Sequence, residues 1–270
     1  MPYKIGLIGC GAIGAEIAKA IEKRQIMAEL VAVCDRNSKC ADELIKGLSK
    51  KPVRANLEEL VNLSDIVVEA ASQRAVPAIA RAALEKGKNL MIMSVGALAD
   101  IELYREVKKM AADHGARVFI PSGAISGLDG LKSASLGTIQ KVTLTTTKKP
   151  ASFDGAPYVK DNNIDLKALK EPTLLFEGTA AEAVKAFPAN VNVAATICLA
   201  AREGEVRVRI IADPTIKVNR HEIVAKGDFG LITTRVENVP SPKNPKTSYL
   251  AALSAIATLR SIVEPVKIGT

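Results

Sequence analysis

The chain has 270 residues, which suits one large domain or two modest ones, each with its own core. Apolar residues make up 48% and charged residues 24%, and no apolar run reaches the ~18–20 residues that span a bilayer, so the composition excludes a membrane-embedded or largely disordered chain. A net charge of +8 raises nucleic acid as a partner. Aromatics are only 3%, however, tryptophan is absent, and the lysine pairs at 50–51 and 148–149 are isolated, so the charge reads as a field favouring anionic small molecules.

In chain order, residues 4–9 (KIGLIG) are a short apolar strand, and Ile13, Ile17, Ala20 and Ile21 carry helical spacing through 13–24. A strand follows at 29–34, a short helix at 39–48 and a strand at 65–71 (DIVVEAA). A helix from Pro77 to Glu85 stops at Gly87, and residues 89–93 (NLMIM) form the next strand. A helix over 100–113 ends in Asp113-His114-Gly115, and 117–120 (RVFI) is again a strand. Near-continuous apolar strands alternating with helices imply right-handed crossovers and a parallel sheet covered on both faces. The start at Met1-Pro2-Tyr3 runs straight into a strand with no cationic region and cleavage site, so a cytoplasmic protein is expected.

The first turn carries chemistry. Gly9-Cys10-Gly11-Ala12-Ile13-Gly14 is G-x-G-x-x-G, lies between a predicted strand and a predicted helix, and is followed by Asp35 at the end of the second strand. That context makes it a dinucleotide fingerprint: the glycines allow a tight turn and close backbone approach, and the helix N-terminus meets the pyrophosphate. Asp35 suits the adenosine ribose hydroxyls of NAD, while Arg36 suits a 2′-phosphate, so NAD and NADP both stay open. Ligands sit at the carboxyl ends of such strands, which places Ala71 and Ser72, and Ser94 and Gly96, beside the nicotinamide. The fold class is therefore α/β, beginning with a Rossmann doubly wound parallel sheet over 1–120. Cys10, Cys34, Cys40 and Cys198 form no C-x-x-C pair and His114 and His221 are far apart, so no metal site is expected. His114, in a last helical turn, reads as structural.

Beyond Pro121 the pattern changes. A glycine-rich loop runs over 122–130, VTLTTTK at 142–148 alternates like a half-buried strand, and the proline-rich stretch 150–172 reads as a surface excursion. A strand at 174–178 and helices at 179–186 and 191–201 precede three strand-like runs, 205–212, 217–225 and 229–237, whose short separating turns predict an antiparallel meander. Residues 121–244 thus form a second α+β domain with a mostly antiparallel sheet, and the Ala/Leu-rich helix at 247–263, within 245–270, is expected to pack back on the first domain.

Four segments of this chain, S-V-G-A-L at 94–98, I-P-S-G-A-I-S-G-L-D at 120–129, the N-V-N-V-A-A-T run from Asn190, and His221 in mid-strand, resemble the L-aspartate dehydrogenase family in order and spacing. The resemblance implies an enzyme that oxidises L-aspartate with NAD or NADP to iminoaspartate, which gives oxaloacetate and ammonia or feeds NAD biosynthesis, and which works as a homodimer. It also implies that Ala124 and Asn190 contact the cofactor, that His221 is catalytic, and that 121–244 is the substrate and dimerisation domain. The ordinary pKa of histidine, ~6.5, suits proton transfer near neutrality. The alternative is a homoserine-dehydrogenase-like oxidoreductase on another amino or hydroxy acid, in which a lysine is the usual proton carrier. Arg220 adjoins His221, but neighbouring strand residues face opposite sides; the sequence does not identify the clamp for the substrate carboxylates, for which Ser122, Ser126 and the backbone N–H groups of the 122–130 loop are the candidates.

Overall fold

The computed structural model describes residues 2–188, 191–202, 204–241 and 244–269. The chain divides into two compact units, Met1–Pro121 with Ala251–Ile268, and Ser122–Leu250 with Gly269–Thr270.

The first unit runs β1 (Tyr3–Ile8), α1 (Ala12–Glu22), β2 (Ala28–Cys34), α2 (Ser38–Lys46), β3 (Val53–Arg54), α3 (Leu57–Leu63), β4 (Ile66–Glu69), α4 (Val76–Leu84), β5 (Asn89–Ile92), α5 (Ile101–Asp113) and β6 (Val118–Phe119). Its six strands lie in the order β3-β2-β1-β4-β5-β6, each pair parallel. The chain reverses its winding between β1 and β4, the point where a doubly wound sheet opens at its carboxyl edge. Ile5, Leu7, Val33, Ile66, Val68 and Met91 share one core with Ile17, Ala18 and Ile21 of α1 and with Ala255 and Leu259 from the helix Tyr249–Val263. On the other face, α3 packs on β1 and β2, and α4 on β4 and β5. Burial on both faces is why these strands read as unbroken apolar runs rather than alternating ones.

Two elements here escape the sequence reading. β3 is only two residues long. α3 carries a capping box in which Asn56 Oδ1 accepts from the Glu59 N–H at 3.0 Å and the Asn56 N–H donates to Glu59 Oε2 at 3.0 Å. The Gly87 and Gly115 stops adopt φ of +66° and +65°, the left-handed conformation that ends a helix.

The second unit holds α6 (Leu128–Ala134), β7 (Ile139–Lys148), α7 (Pro157–Asp161), β8 (Thr173–Thr179), α8 (Ala180–Ala186), α9 (Val191–Ala201), β9 (Val206–Ala212), β10 (Asn219–Gly227), β11 (Gly230–Asn238), β12 (Pro240–Ser241) and β13 (Asn244–Ser248); α10 (Tyr249–Val263) follows. Its main sheet has the order β11-β10-β7-β9-β8. The expected three-strand meander is corrected in part. β10 and β11 form an antiparallel hairpin, but β7 lies between β10 and β9 and pairs parallel with β9. The connection 213–218 is long enough to pass over a strand, and Asp213 Oδ1 starts it by accepting from the Thr215 N–H at 2.8 Å and hydroxyl at 2.7 Å. The remaining pairs are antiparallel, so the sheet is mixed and mostly antiparallel.

The stretch read as a surface excursion is also packed more tightly than its composition suggests. Phe153 and Val159 are buried, and Phe153, Tyr158, Phe176 and Phe187 form a cluster with ring centroids 5.4–5.9 Å apart. Among the described residues, no helix is long and apolar enough to cross a membrane.

Candidate active site

In the first unit, Gly9 leaves β1 with φ +99°, and a Cβ there would stand 2.4 Å from the Ala70 carbonyl oxygen. Only glycine meets both conditions. A Cβ on Gly14 would stand 2.0 Å from Gly9 O, so that position too is held by close packing of helix on turn. Gly11 differs: a Cβ there would point into open space. It caps α1 with no side-chain hydrogen bond, and the first turn, with Ala12 and Ile13 half-buried, carries no acidic residue. An uncapped, unneutralised helix N-terminus beside an open cradle suits a pyrophosphate, so the residues present fit a dinucleotide.

Asp35 has a structural duty the sequence reading did not include. Its Oδ2 accepts from the Cys10 N–H at 2.7 Å and its Oδ1 from the Asn37 N–H at 2.8 Å, which staples the glycine turn to the end of β2. Each carboxylate oxygen keeps a lone pair for a further donor such as a ribose hydroxyl. Arg36 beside it is exposed. Burial, with the Asp35 charge second, pushes the Cys10 thiol up to about 12, so this cysteine is an inert packing group.

Ala71 and Ser72 are exposed after β4, Ser94 is half-buried after β5, and Gly96 is buried in a short 3-10 turn. A residue the sequence reading missed ties these ends together. Glu69, fully buried at the end of β4, accepts through Oε1 from the Ala71 N–H and the Ser94 hydroxyl, both at 2.8 Å, and through Oε2 from the N–H groups of Met93 at 3.2 Å and Ser94 at 2.9 Å. Burial pushes its carboxyl pKa up, against the pull of those bonds. A lone acid closing the apolar run Ile66-Val67-Val68 was the available signal.

In the second unit, one face of the sheet packs on the helices. Val142 and Leu144 of β7 and Ala225 and Ile223 of β10 make it apolar along most of its length. Side chains alternate, so the same face continues through Thr146 and Lys148 on β7 and His221 on β10. Thr146 and His221 are direct cross-strand partners, both buried, and Thr146 Oγ1 lies 2.9 Å from His221 Nδ1. Burial, and after it the charge of Lys148, pull the imidazole down to about 3, and burial pulls the Lys148 ammonium down to about 8. The ordinary value near 6.5 therefore does not hold here, and His221 is neutral at physiological pH.

The next inward positions are Asn219 and, opposite it on β11, Asn238. Asn238 Nδ2 donates to Ala124 O at 2.9 Å, and the Thr234 hydroxyl donates to Ser126 O at 3.3 Å, fastening the 122–127 segment along β11. The unit thus brings Ala124 to the strand beside β10. Asn190 lies outside the described residues. Arg220 faces the opposite side of the sheet, paired with Glu237 at 3.2 Å. His114 is exposed at the end of α5 and belongs to neither cluster. Thr146, Lys148 and Asn238 were not anticipated from sequence, since only strand pairing gathers them.

Comparison with known proteins bears on both units. The family described as "Aspartate dehydrogenase, C-terminal" matches residues 129–262, and that described as "Homoserine dehydrogenase, NAD binding domain" matches residues 9–121. The L-aspartate dehydrogenase of Methanosarcina acetivorans is 53% identical over 99% of each chain, and that of Methanocaldococcus jannaschii 43% identical over 99% of each. The crystal structure of aspartate dehydrogenase from Thermotoga maritima superposes with a TM-score of 0.76 at 30% identity, covering 100% of both chains. The chain belongs to the L-aspartate dehydrogenase family.

Proposed function

We propose that the chain catalyses the NAD- or NADP-dependent oxidation of L-aspartate to iminoaspartate, which yields oxaloacetate and ammonia by hydrolysis or feeds NAD biosynthesis. The observation that carries this reading is His221: a buried, neutral imidazole held by Thr146, in the part of the chain matched by the aspartate dehydrogenase C-terminal family. In this reading the first unit holds the dinucleotide. Gly9, Gly11, Ala12, Ile13 and Gly14 take the pyrophosphate, Asp35 and Arg36 the adenosine ribose, and Ala71, Ser72, Ser94 and Gly96 the nicotinamide end; Ala124 and Asn190 contact the cofactor from the second unit. The bound dinucleotide supplies the two-electron oxidant.

The protein must then position the substrate and take a proton. Two electrons leave with the Cα hydrogen as hydride, and the ammonium group gives up one proton, which leaves the protonated imine. With its own proton on Nδ1, His221 donates to Thr146 Oγ1 and presents Nε2 as the acceptor. A ring charged before substrate arrives could not do this, so the depressed proton affinity keeps it ready. An anionic substrate alongside favours the imidazolium that forms, which recovers basicity at the moment it is needed.

Purified protein supplied with L-aspartate and NAD or NADP should generate reduced-nicotinamide absorbance, and L-homoserine should generate far less. The homoserine dehydrogenase match of residues 9–121 is the observation favouring a second reading, a hydroxy- or amino-acid oxidoreductase of other specificity; preferential turnover of homoserine would establish it. The enzyme acts as a homodimer in the proposed reading, and sedimentation velocity showing only monomer would remove that part.

A further inference from the structure

We propose that Lys148 is the specificity-determining residue of the His221 site, its ammonium group receiving a carboxylate of the substrate. The inference rests on the aspartate reading above and supplies the anion clamp that the sequence leaves unassigned.

Strand register puts the residue there. Thr146 pairs directly with His221, and Lys148 stands two residues further along β7 on the same face. Diagonal neighbours across an antiparallel pair have Cα atoms roughly 7–8 Å apart, within reach of a lysine side chain. On β7 and β10 the face is apolar from Val142 and Ala225 through Leu144 and Ile223 and turns polar at Thr146, His221 and Lys148, with Asn219 and, across from it on β11, Asn238 at the same end. Among the described residues on the strands at this end, Lys148 is the cation on the inward face. Arg220 is turned to the other face and tied to Glu237.

A second observation points to a ligand at the same end. Asn238 is 2% exposed, and its Oδ1 is a buried acceptor with no hydrogen-bond partner among the described residues. A buried acceptor is costly to leave unmatched. The ammonium group of an amino acid is a donor that would satisfy it, and a carboxylate is an acceptor that a lysine ammonium binds. Acceptor and cation on one face match the two charged ends of an amino acid, with the proton-accepting histidine on β10, the strand between theirs.

Lys148 also acts on His221 in a way the substrate would reverse. Its positive charge disfavours the imidazolium. A carboxylate bound at Lys148 offsets that charge, so substrate arrival and recovery of basicity at His221 become one event. Glu222 and Glu237 belong to the opposite face of β10 and β11, and among the described residues Lys148 is the charge that acts on the ring.

The test uses the NAD-loaded enzyme and succinate, a dicarboxylate without an amino group, as the binding probe. Lys148→Met should raise the succinate Kd, measured by calorimetry, and the KM for L-aspartate roughly 10–100-fold, as for loss of a hydrogen bond to a charged group. NADH affinity should not change, and Lys148→Arg should recover most of the succinate binding. If the methionine variant fails to fold, Lys148→Gln carries the same prediction. Succinate Kd and aspartate KM within two-fold of wild type in the neutral variant would overturn the inference while leaving the aspartate reading intact. A wild-type enzyme that turns over no L-aspartate would overturn both.

Discussion

The glycine turn of the first unit and the His221 end of the second are built from different materials. The turn uses backbone: a left-handed Gly9, a helix N-terminus without a cap, and one carboxylate, Asp35, which grips the main chain at Cys10 and Asn37. The His221 end uses side chains that strand pairing gathers from distant places. Thr146 and His221 are 75 positions apart, and Ala124 and Asn238 are 114 apart. Main-chain chemistry is written locally and can be read locally. A side-chain constellation exists only once the topology exists.

The comparison predicts opposite responses to mutation, and the largest is at the side-chain end. His221→Ala should lower kcat by roughly 10²–10⁴, the range for a lost acid–base group, with cofactor affinity unchanged. Stopped-flow turnover beside NADH fluorescence titration measures both; a kcat within a few-fold of wild type would remove His221 from the mechanism.

The same residue should leave a mark on stability. Its folded pKa, about 3, lies below its ordinary 6.5, so the folded state binds fewer protons than the unfolded state between those values. Its contribution is then fully present above pH 6.5 and lost as pH falls toward 3, with a slope of up to about 1.4 kcal/mol per pH unit. Denaturant midpoints at pH 7 and pH 5 should converge in His221→Leu relative to wild type. An unchanged pH dependence would mean the ring is not buried neutral.

At the backbone end, two glycines separate packing from binding. Gly14→Ala forces a Cβ to 2.0 Å from a carbonyl oxygen and should destabilise the fold by about 1–3 kcal/mol. Gly11→Ala meets open space and should leave Tm essentially unchanged while weakening dinucleotide binding. If Gly11→Ala binds NAD as tightly as wild type, the cradle is not where the pyrophosphate sits. The smallest effect is at Asp35. Asp35→Ala should weaken NADP through loss of the turn's staple, and NAD roughly ten-fold further through loss of the ribose contact. Equal losses for both cofactors would assign Asp35 to the turn alone.

This contrast also explains what was legible in advance. The parallel sheet and its helices could be read from apolar runs and glycine stops, because strands buried on both faces leave a strong compositional trace. β3 and α3 leave little periodic trace in the sequence, because one is too short to show a period and the other announces itself mainly by a capping box. The placement of β7 between β9 and β10 had no local signature, since a turn beginning Asp213-Pro214 looks alike whether the chain folds back on its neighbour or crosses over one. At the site, His221 could be named from family resemblance. Its proton affinity could not, because the burial and the Lys148 charge that set it come from the sheet. Glu69 was visible as an acid at the end of an apolar strand, but its four donors come from two loops.

The most direct measurement is nicotinamide oxidation in the reductive direction, with oxaloacetate, ammonia, and either NADH or NADPH. An aspartate dehydrogenase consumes the reduced cofactor only when oxaloacetate and ammonia are both present, and forms L-aspartate in equal amount. Consumption with oxaloacetate alone, or none despite confirmed cofactor binding, would contradict the assignment.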